Sequence, residues 1–300
     1  VKFNHSGVKT GISEIRKSVD SILTLVDTTL SGYNKGSQLS RFNAGVPVVP
    51  NEMFREIFTI SKRLYDETGG ALDMASGPLY DAWGFGFTND SLPSAAVVDS
   101  LKAVCGMDKF DGNMSPLIPG ICPKLNFNAI AQGYTCDKIA EYLHSLGVRD
   151  MLVNIGEIYS EGLNPSGKPW TIGVDRPEDG NMELGGKGLV GIWRGDVSGR
   201  GVFTSGNYRK FYVKDGRKYS HTIDPRTGYP VNHTLLSATI VAPDATLADA
   251  YATYCMVIGL DEAKIFIESS DGLEGYLVYA DGDSMSEWAS SGFNLVRDSR

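Results

Sequence analysis

The sequence predicts an α+β protein built from mixed, largely antiparallel sheets with packed helices. Apolar residues recur at helical spacing in several segments, whereas other segments are rich in β-branched residues. An Asp-Gly pair at 215–216 joins two strand-like runs, and this pair is a strong signal for an antiparallel hairpin. Helices and hairpins follow in mixed order, unlike the regular alternation of a doubly wound parallel sheet. Three hundred residues without an evident linker or repeat favour a single domain over 1–300.

Composition limits the classes of partner and metal. The formal charge is 28 − 36 = −8, and an acidic surface argues against nucleic acid as a partner. No stretch reaches the roughly 18 apolar residues that a membrane span requires. The four cysteines include no C-x-x-C pair, which argues against a zinc site. Cys136 and Cys255 fall in predicted helices as small core residues, and pairing of Cys105 with Cys122 stays open.

The first third of the chain is predicted to be mainly helical. Apolar residues at helical spacing indicate an amphipathic helix over roughly 11–29. Asn51 is placed to cap a second helix, which Gly69-Gly70 ends, and a short helix begins at Ser94. The segment 108–122 is rich in Gly, Pro and Asn, which is typical of an irregular surface loop.

The middle of the chain alternates between helix and strand patterns. A strand at 124–127 is predicted to lead into a helix that reaches Leu143, with His144 on its solvated polar side. Later strands are expected at 151–156, 169–177 and 189–195. Near the end, a helix capped by Asp261 and a hairpin around Asp281-Gly282 close the chain.

Residues 201–259 carry the densest set of candidate functional residues. The hairpin around 215–216 would place His221 at a strand end, directly before a tight turn at 224–228. A strand at 235–241 and a helix with Asp249 and Thr253 follow. Because residues four apart lie on one helical face, that carboxylate and that hydroxyl can converge on one point. Such hard oxygens suit Mg2+.

Each of these residues also has a purely structural explanation. A lone histidine such as His221 is more often a hydrogen-bonded structural residue than a catalyst. An aspartate near a helix start, such as Asp249, is more often a helix cap. The order and spacing of the whole stretch favour a function over these alternatives.

Several longer motifs together resemble the FAD:protein FMN transferase (ApbE) family. The carboxyl-terminal motifs are TSGNYRKF, YSHTIDPRTGYP and LADAYAT, in this order. Upstream lie GGALDMASGPLYDAWGFG, the S-x-x-S-R-F-N motif at 37–43, and a segment similar to the family's L-D-x-x-x-x-A-K-G-Y-x-x-D. In that segment Asn126 stands where Asp is usual and Gln132 where Lys or Glu is common, so two charges are lost while hydrogen-bonding capacity is kept. GEIYSEG lacks one glycine of the family's G-G-E/D turn.

The resemblance implies a fold and a set of site residues. The fold is two fused T-fold-like halves, and the family's first strand, with its M-G-T motif, is expected to precede Val1. The residues that correspond to FAD contacts are Tyr33, Ala71, Leu72, Asp73, Asn126, Gln132 and Ile223. Those that correspond to Mg2+ ligands are the carbonyl of Ala129 and the side chains of Asp249 and Thr253.

The resemblance also implies a reaction and a setting. Family members move FMN from FAD onto a Ser or Thr hydroxyl of an acceptor flavoprotein and release AMP, so 1–300 would be one catalytic domain. His221 would accept the proton of the hydroxyl, since a histidine is largely neutral at neutral pH. The expected location is extracytoplasmic, on the periplasmic face of the inner membrane, through a lipid anchor outside this chain. A Mg2+-dependent FAD pyrophosphatase and a non-catalytic flavin-binding protein remain as alternatives.

Overall fold

The computed structural model describes residues 1–85, 92–117, 123–175, 189–195, 197–207, 211–214 and 217–296. The chain divides into two compact units. Unit 1 comprises Val1–Asp20, Gln132–Phe211 and His233–Arg300, and unit 2 comprises Ser21–Ala131 and Tyr212–Asn232. Each unit is thus assembled from separate stretches of the sequence, while a single catalytic domain over 1–300 stays a prediction.

Helices and antiparallel strands are both present, so the predicted α+β class is confirmed. The helices are α1 (Ile12–Leu30), α2 (Gln38–Asn43), α3 (Glu52–Glu67), α4 (Gly77–Ala82), α5 (Ala95–Lys102), α6 (Ala131–Ser145), α7 (Ala245–Ile258) and α8 (Leu260–Ser269). The strands are β1 (Lys2–Phe3), β2 (Met151–Asn154), β3 (Ile158–Glu161), β4 (Thr171–Asp175), β5 (Leu189–Arg194), β6 (Arg200–Gly206), β7 (Phe211–Lys214), β8 (Arg217–Ser220), β9 (Ile223–Asp224), β10 (Tyr229–Pro230), β11 (Leu235–Ala242), β12 (Glu274–Asp281), β13 (Ser284–Ala289) and β14 (Leu295–Val296). No helix in these described ranges is long and apolar enough to cross a membrane.

Unit 1 is organised around a seven-stranded sheet with the order β1-β2-β3-β6-β11-β12-β13. Each neighbouring pair is antiparallel. Successive side chains of β11 point to opposite faces, so Ala238 and Ile240 pack with α7 and α8 while Val241 packs with β4 and β5. The central strand is therefore buried on both faces, which explains its nearly continuous apolar sequence.

Unit 2 is mainly helical, as its sequence predicts. Asn51 caps α3 by accepting the N–H of Phe54, and Ser94 caps α5 by accepting that of Val97. Aromatic rings fill the interior beside α3, where Phe54 contacts Phe127 edge to face at 5.7 Å between ring centroids. These packed rings join α3 to the segment that contains Phe127.

Three predictions about individual elements are wrong. No strand forms at 124–127, because the N–H of Asn126 donates to the carbonyl of Met74 in a loop rather than to a neighbouring strand. Gly259, not Asp261, is the N-cap of α8, and Asp261 lies in its first turn. His144 is not simply solvated, since its Nε2 contacts the carboxylate of Glu161 at 2.5 Å.

The cysteine predictions have separate outcomes. Cys136 and Cys255 are buried free thiols, as expected of core residues. Cys105 is also a buried free thiol, so the structure gives it no disulfide. Cys122 and the hairpin turn at 215–216 lie outside the described residues, although β7 and β8 on either side of that turn do pair.

Candidate active site

In unit 1, the candidate metal ligands lie on α7, which follows β11 after a short turn. The N-cap of α7 is Asp244, whose side chain accepts the N–H of Leu247 at 2.7 Å. Asp249 lies in the second turn and is only 1% exposed. The structural alternative, in which Asp249 caps its own helix, is therefore wrong.

The Asp249 carboxylate instead faces the start of α6. Its Oδ2 accepts the N–H of Gly133 at 3.0 Å, and it also accepts a main-chain hydrogen bond from Gln132. A Cβ at Gly133 would lie 2.1 Å from the carbonyl oxygen of Ala245, so only glycine permits this approach of the helices. Asp249 is consequently fixed by donors from a helix more than 100 residues away in sequence.

Other acidic side chains surround Asp249. Burial is the main cause that raises the pKa of Asp249 well above its ordinary range, and the negative charge of buried Glu157 raises it further. Burial likewise raises the pKa of Asp137 to about 6. Because like charges in a buried site repel one another, this cluster would be stabilised by a bound cation.

The oxygens of Asp249 and Thr253 are of the type that Mg2+ binds. The described residues contain no group of three His, Cys, Asp or Glu side chains arranged to hold a metal. Thr253, one turn after Asp249, is partly buried, and its Oγ1 lies 3.3 Å from the Oγ of Ser205 on β6. One carboxylate with neutral oxygens is a donor set that suits Mg2+ when a substrate phosphate completes it.

In unit 2, the candidate catalytic histidine lies shortly before a tight turn. His221 directly follows β8, is partly buried, and has its ring centroid 6.4 Å from that of Phe85. The turn at 224–228 closes as predicted, with the N–H of Gly228 donating to the carbonyl of Asp224 at 2.7 Å. Trp83 donates its indole N–H to the carbonyl of Gly228, which ties this turn to α4.

The loop at 71–75 is held from within by Asp73. The Oδ1 of Asp73 accepts the N–H of Ala75 at 2.9 Å and that of Met107 at 3.1 Å. Burial raises the pKa of Asp73 to about 7. Ala71 and Leu72 are buried beside it. These residues stabilise the loop, and their contact with FAD stays a prediction.

The side-chain amide of Asn43 fixes the segment that contains the candidate residues Asn126 and Ala129. Asn43 donates from Nδ2 to the carbonyl of Leu125 and accepts the N–H of Leu125 at Oδ1, both at 2.8 Å. The following Asn126 accepts the N–H of Asn128 at its Oδ1, which begins the turn at 128–130 that contains Ala129. Asn126 therefore performs with an amide oxygen the local capping that the family's usual Asp could perform with a carboxylate.

The remaining predicted FAD contacts differ greatly in exposure. Tyr33 is 68% exposed on a turn in which the Oγ of Ser31 accepts the N–H of Tyr33. Gln132 is exposed at the start of α6. Ile223, in contrast, is fully buried among the apolar residues of unit 2.

Between them the two units hold all the predicted site residues. Unit 1 contains Gln132, Asp249 and Thr253. Unit 2 contains Tyr33, Ala71, Leu72, Asp73, Asn126, Ala129, His221 and Ile223. Within unit 1, the structure places Asp249 and Thr253 on one helix and Asp249 against the first turn that contains Gln132. Within unit 2, Asn126 and Ala129 share one turn segment.

Sequence reasoning missed three residues that surround or hold these groups. Asp137 and Glu157 are the acids beside Asp249, and Asn43 clamps Leu125. Asn43 is part of the serine-rich motif and Asp137 ends the motif that contains Gln132, so both lie in recognisable motifs. Their roles depend on contacts across 82 residues or more, which local spacing does not reveal.

Comparison with solved structures identifies the class of protein as flavin transferases. The flavin transferase ApbE from Vibrio cholerae matches with a TM-score of 0.80 and 31% identity, covering 97% of this chain and 92% of that one. The apo flavinyl transferase ApbE of Pseudomonas stutzeri also matches with a TM-score of 0.80 and 31% identity, covering 97% and 90%.

The chain belongs to the ApbE family, whose profile matches residues 1–277. Among curated relatives, the FAD:protein FMN transferase of Escherichia coli (strain K12) is 34% identical over 292 residues, which are 94% of this chain and 81% of the relative. The family assignment made from the sequence motifs, and with it the expectation of a transferase, is confirmed.

Proposed function

We propose that this chain transfers FMN from FAD onto a Ser or Thr hydroxyl of an acceptor protein and releases AMP. Besides family membership, one observation carries the proposal. Asp249 is a buried carboxylate among other acids, one helical turn from Thr253, and such a site suits a cation that binds a pyrophosphate.

In this proposal, Asp249 and Thr253 hold Mg2+. Mg2+ supplies neutralisation of the negative charge on the pyrophosphate oxygens, which is a main requirement of phosphoryl transfer. The hydrogen bonds from α6 hold the Asp249 carboxylate in place before the substrate binds. The residues of this site thus position charge rather than form a covalent bond.

His221 serves as the proton acceptor in the same reaction. The hydroxyl oxygen of the acceptor forms a bond to the phosphorus of the FMN moiety, and the pyrophosphate P–O bond to AMP breaks. The hydroxyl proton passes to the imidazole of His221, and AMP leaves with the bonding electron pair. His221 lies directly after β8 and beside the ring of Phe85, shortly before the turn at 224–228.

The residues proposed to contact FAD lie on several loops. Tyr33 offers an exposed aromatic ring, which suits stacking on a planar ring of the dinucleotide. Asp73 is the proposed contact in the loop at 71–75, where its Oδ1 accepts the N–H groups of Ala75 and Met107. Asn126 and Gln132 add neutral hydrogen-bonding groups at the surface of their respective units.

The setting is also part of the proposal. A flavoprotein acceptor outside the cytoplasm, with this chain held at the periplasmic face of the inner membrane by a lipid anchor, agrees with what the sequence resemblance implies. Fractionation of cells that produce the full-length protein, with and without globomycin to block lipoprotein maturation, tests this location. Recovery in the cytoplasmic fraction would contradict it.

One assay separates the proposed activity from its alternatives. The purified chain is incubated with FAD, Mg2+ and a candidate acceptor domain, and a second sample contains the acceptor with its target hydroxyl replaced. Covalent flavin on the first acceptor alone supports transfer. Free FMN and AMP in both samples would indicate a pyrophosphatase, and intact bound FAD would indicate a non-catalytic flavin-binding protein.

A further inference from the structure

Helices α6 and α7 cap each other's first turns through aspartates in their second turns. Asp249 on α7 accepts the main-chain N–H groups of Gln132 and Gly133 at the start of α6. Asp137 on α6 accepts the N–H of Ala245 at 2.9 Å and that of Thr246 at 2.8 Å, at the start of α7. The two helices are therefore joined by hydrogen bonds in both directions.

These bonds satisfy the first turn of α7. The first N–H groups of a helix have no partner within the helix itself. In α7 the first two, from Ala245 and Thr246, donate to Asp137, and the third, from Leu247, donates to Asp244. Thr246 also donates its hydroxyl to Asp137 at 2.5 Å. Asp244 is the N-cap of α7 itself, whereas Asp137 belongs to α6, so of these two aspartates only Asp137 can fix the start of α7 relative to α6.

The burial of this helix end makes the loss of Asp137 costly. Ala245 is 1% exposed, so water has little access to its N–H group. A buried N–H without a partner is unfavourable, and the helix would move to regain a partner. The contact at Gly133, where a Cβ would lie 2.1 Å from the Ala245 carbonyl oxygen, leaves no room for α7 to approach α6 further. Movement of α7 would therefore displace Asp249 and Thr253.

We propose that Asp137 is a positioning residue, which sets α7 so that Asp249 and Thr253 can hold the divalent cation. The inference rests on the proposed metal site and goes beyond it, since Asp137 itself lies outside that ligand set. Side chains that orient metal ligands typically contribute about 10- to 100-fold in metal affinity. We expect a loss of Mg2+ affinity in that range when Asp137 is changed.

The test measures Mg2+ binding to the whole chain by isothermal titration calorimetry, with no FAD present, beside a thermal melt of each variant. Asp137→Asn removes the charge and replaces one acceptor oxygen by a donor, and Asp137→Glu keeps the charge but moves the carboxylate. Positioning predicts that both variants bind Mg2+ about 10- to 100-fold more weakly. A purely electrostatic attraction of Mg2+ predicts a loss for Asp137→Asn alone, and that result would overturn the proposal.

Asp244→Ala is the matched control, because it removes a hydrogen bond from the same helix end and keeps the N–H groups of Ala245 and Thr246 bonded to Asp137. We expect Asp244→Ala to lower the melting temperature while leaving Mg2+ affinity unchanged. An equal loss of affinity in Asp244→Ala and Asp137→Asn would show that Asp137 is only a helix cap and would overturn the proposal. If Asp137→Asn does not fold, Thr246→Val, which removes only the hydroxyl donor, takes its place and should weaken Mg2+ binding in the same direction.

Asp249→Asn separates this inference from the proposed function. If Asp249→Asn binds Mg2+ like the wild type, the metal site and the positioning role both fail. If Asp249→Asn loses affinity while the Asp137 variants do not, the metal site stands and only the positioning role is overturned.

Discussion

Each unit contains a buried aspartate that accepts main-chain N–H groups, yet the two carboxylates have different surroundings. Asp73 in unit 2 holds the N–H groups of Ala75 and Met107, and the charged residues that influence its pKa, Asp108 and Lys109, have opposite signs. Asp249 in unit 1 also accepts two N–H groups, but the neighbours that influence its pKa are the further acids Glu157 and Asp137.

The comparison indicates that the Asp73 carboxylate stabilises a loop, whereas the surroundings of the Asp249 carboxylate favour binding of a cation. In both cases burial is the first cause of the raised pKa. Around Asp73, main-chain donors provide most of the compensation. Around Asp249, the negative charges of Glu157 and Asp137 raise the pKa further, so a bound cation would relieve repulsion there, whereas the charged neighbours of Asp73 have opposite signs. The predictions below test whether this difference in surroundings is a difference in function.

The largest expected effect belongs to neither aspartate but to His221. His221→Ala should lower transfer to the acceptor by about 10²–10⁴-fold, the usual contribution of a general base. FAD affinity should change little, because the proton moves only during the reaction. Rates at saturating FAD, with FAD binding followed by fluorescence, check both statements, and normal transfer in the variant would leave His221 a structural residue.

Asp249→Asn should lower transfer on the order of 10³-fold, since the loss of a charged ligand removes several kcal/mol of charge stabilisation. Excess Mg2+ should restore part of the rate. Asn keeps an oxygen that can accept the N–H of Gly133 at the start of α6, so Asp249→Asn should cost less stability than the roughly 0.5–2 kcal/mol typical of a lost helix cap. Rate against Mg2+ concentration, together with thermal melting, distinguishes these outcomes, and unchanged Mg2+ dependence would refute the metal site.

The sequence was sufficient where a feature depends on neighbouring residues. The turn at 224–228 follows from Asp-Pro-Arg-Thr-Gly, whose glycine adopts the left-handed conformation with φ +82°, and the helix of Asp249 and Thr253 follows from local spacing. The strand predicted at 124–127 does not form, because the N–H of Asn126 donates to the carbonyl of Met74 in a loop. The hydrogen bonds between Asn43 and Leu125 and between Gly133 and Asp249 join residues that are 82 and 116 positions apart. A single sequence does not show which distant residues come into contact.

Asp73 allows a prediction of how the stability of the fold depends on pH. Its pKa of about 7 in the folded chain lies above the ordinary value of 3.8, so the folded state binds this proton more tightly than the unfolded state does. The stability contributed by Asp73 is therefore present below about pH 4 and is lost as the pH rises to about 7, by at most about 4 kcal/mol. In Asp73→Asn, the amide oxygen can still accept both N–H groups, so the variant should be more stable than the wild type at pH 8.

Chemical denaturation at pH 5 and pH 8 checks the effect of Asp73→Asn. The difference in free energy of unfolding between variant and wild type should be larger at pH 8 than at pH 5. Asp73→Ala serves as the control, because it also removes the proton-binding group but leaves the N–H groups of Ala75 and Met107 without their acceptor. If Asp73→Asn is stabilised equally at both pH values, the pKa of Asp73 is not raised in the folded chain. The comparison with Asp249 would then lose its basis.

The smallest expected effect comes from Thr253→Val, which tests how much of the metal site depends on charge. The substitution is nearly isosteric and removes one neutral oxygen, which water can replace in the coordination of Mg2+. It also removes the contact between Thr253 Oγ1 and Ser205 Oγ, so Ser205→Ala is the matched control for the loss of that contact alone. We expect the Mg2+ concentration for half-maximal rate to rise by less than about tenfold in Thr253→Val, with the rate at saturating Mg2+ preserved, and to stay unchanged in Ser205→Ala.

If Thr253→Val instead matched Asp249→Asn in its loss of rate, the hydroxyl would be as important as the carboxylate. The surplus of negative charge that distinguishes Asp249 from Asp73 would then no longer explain metal binding.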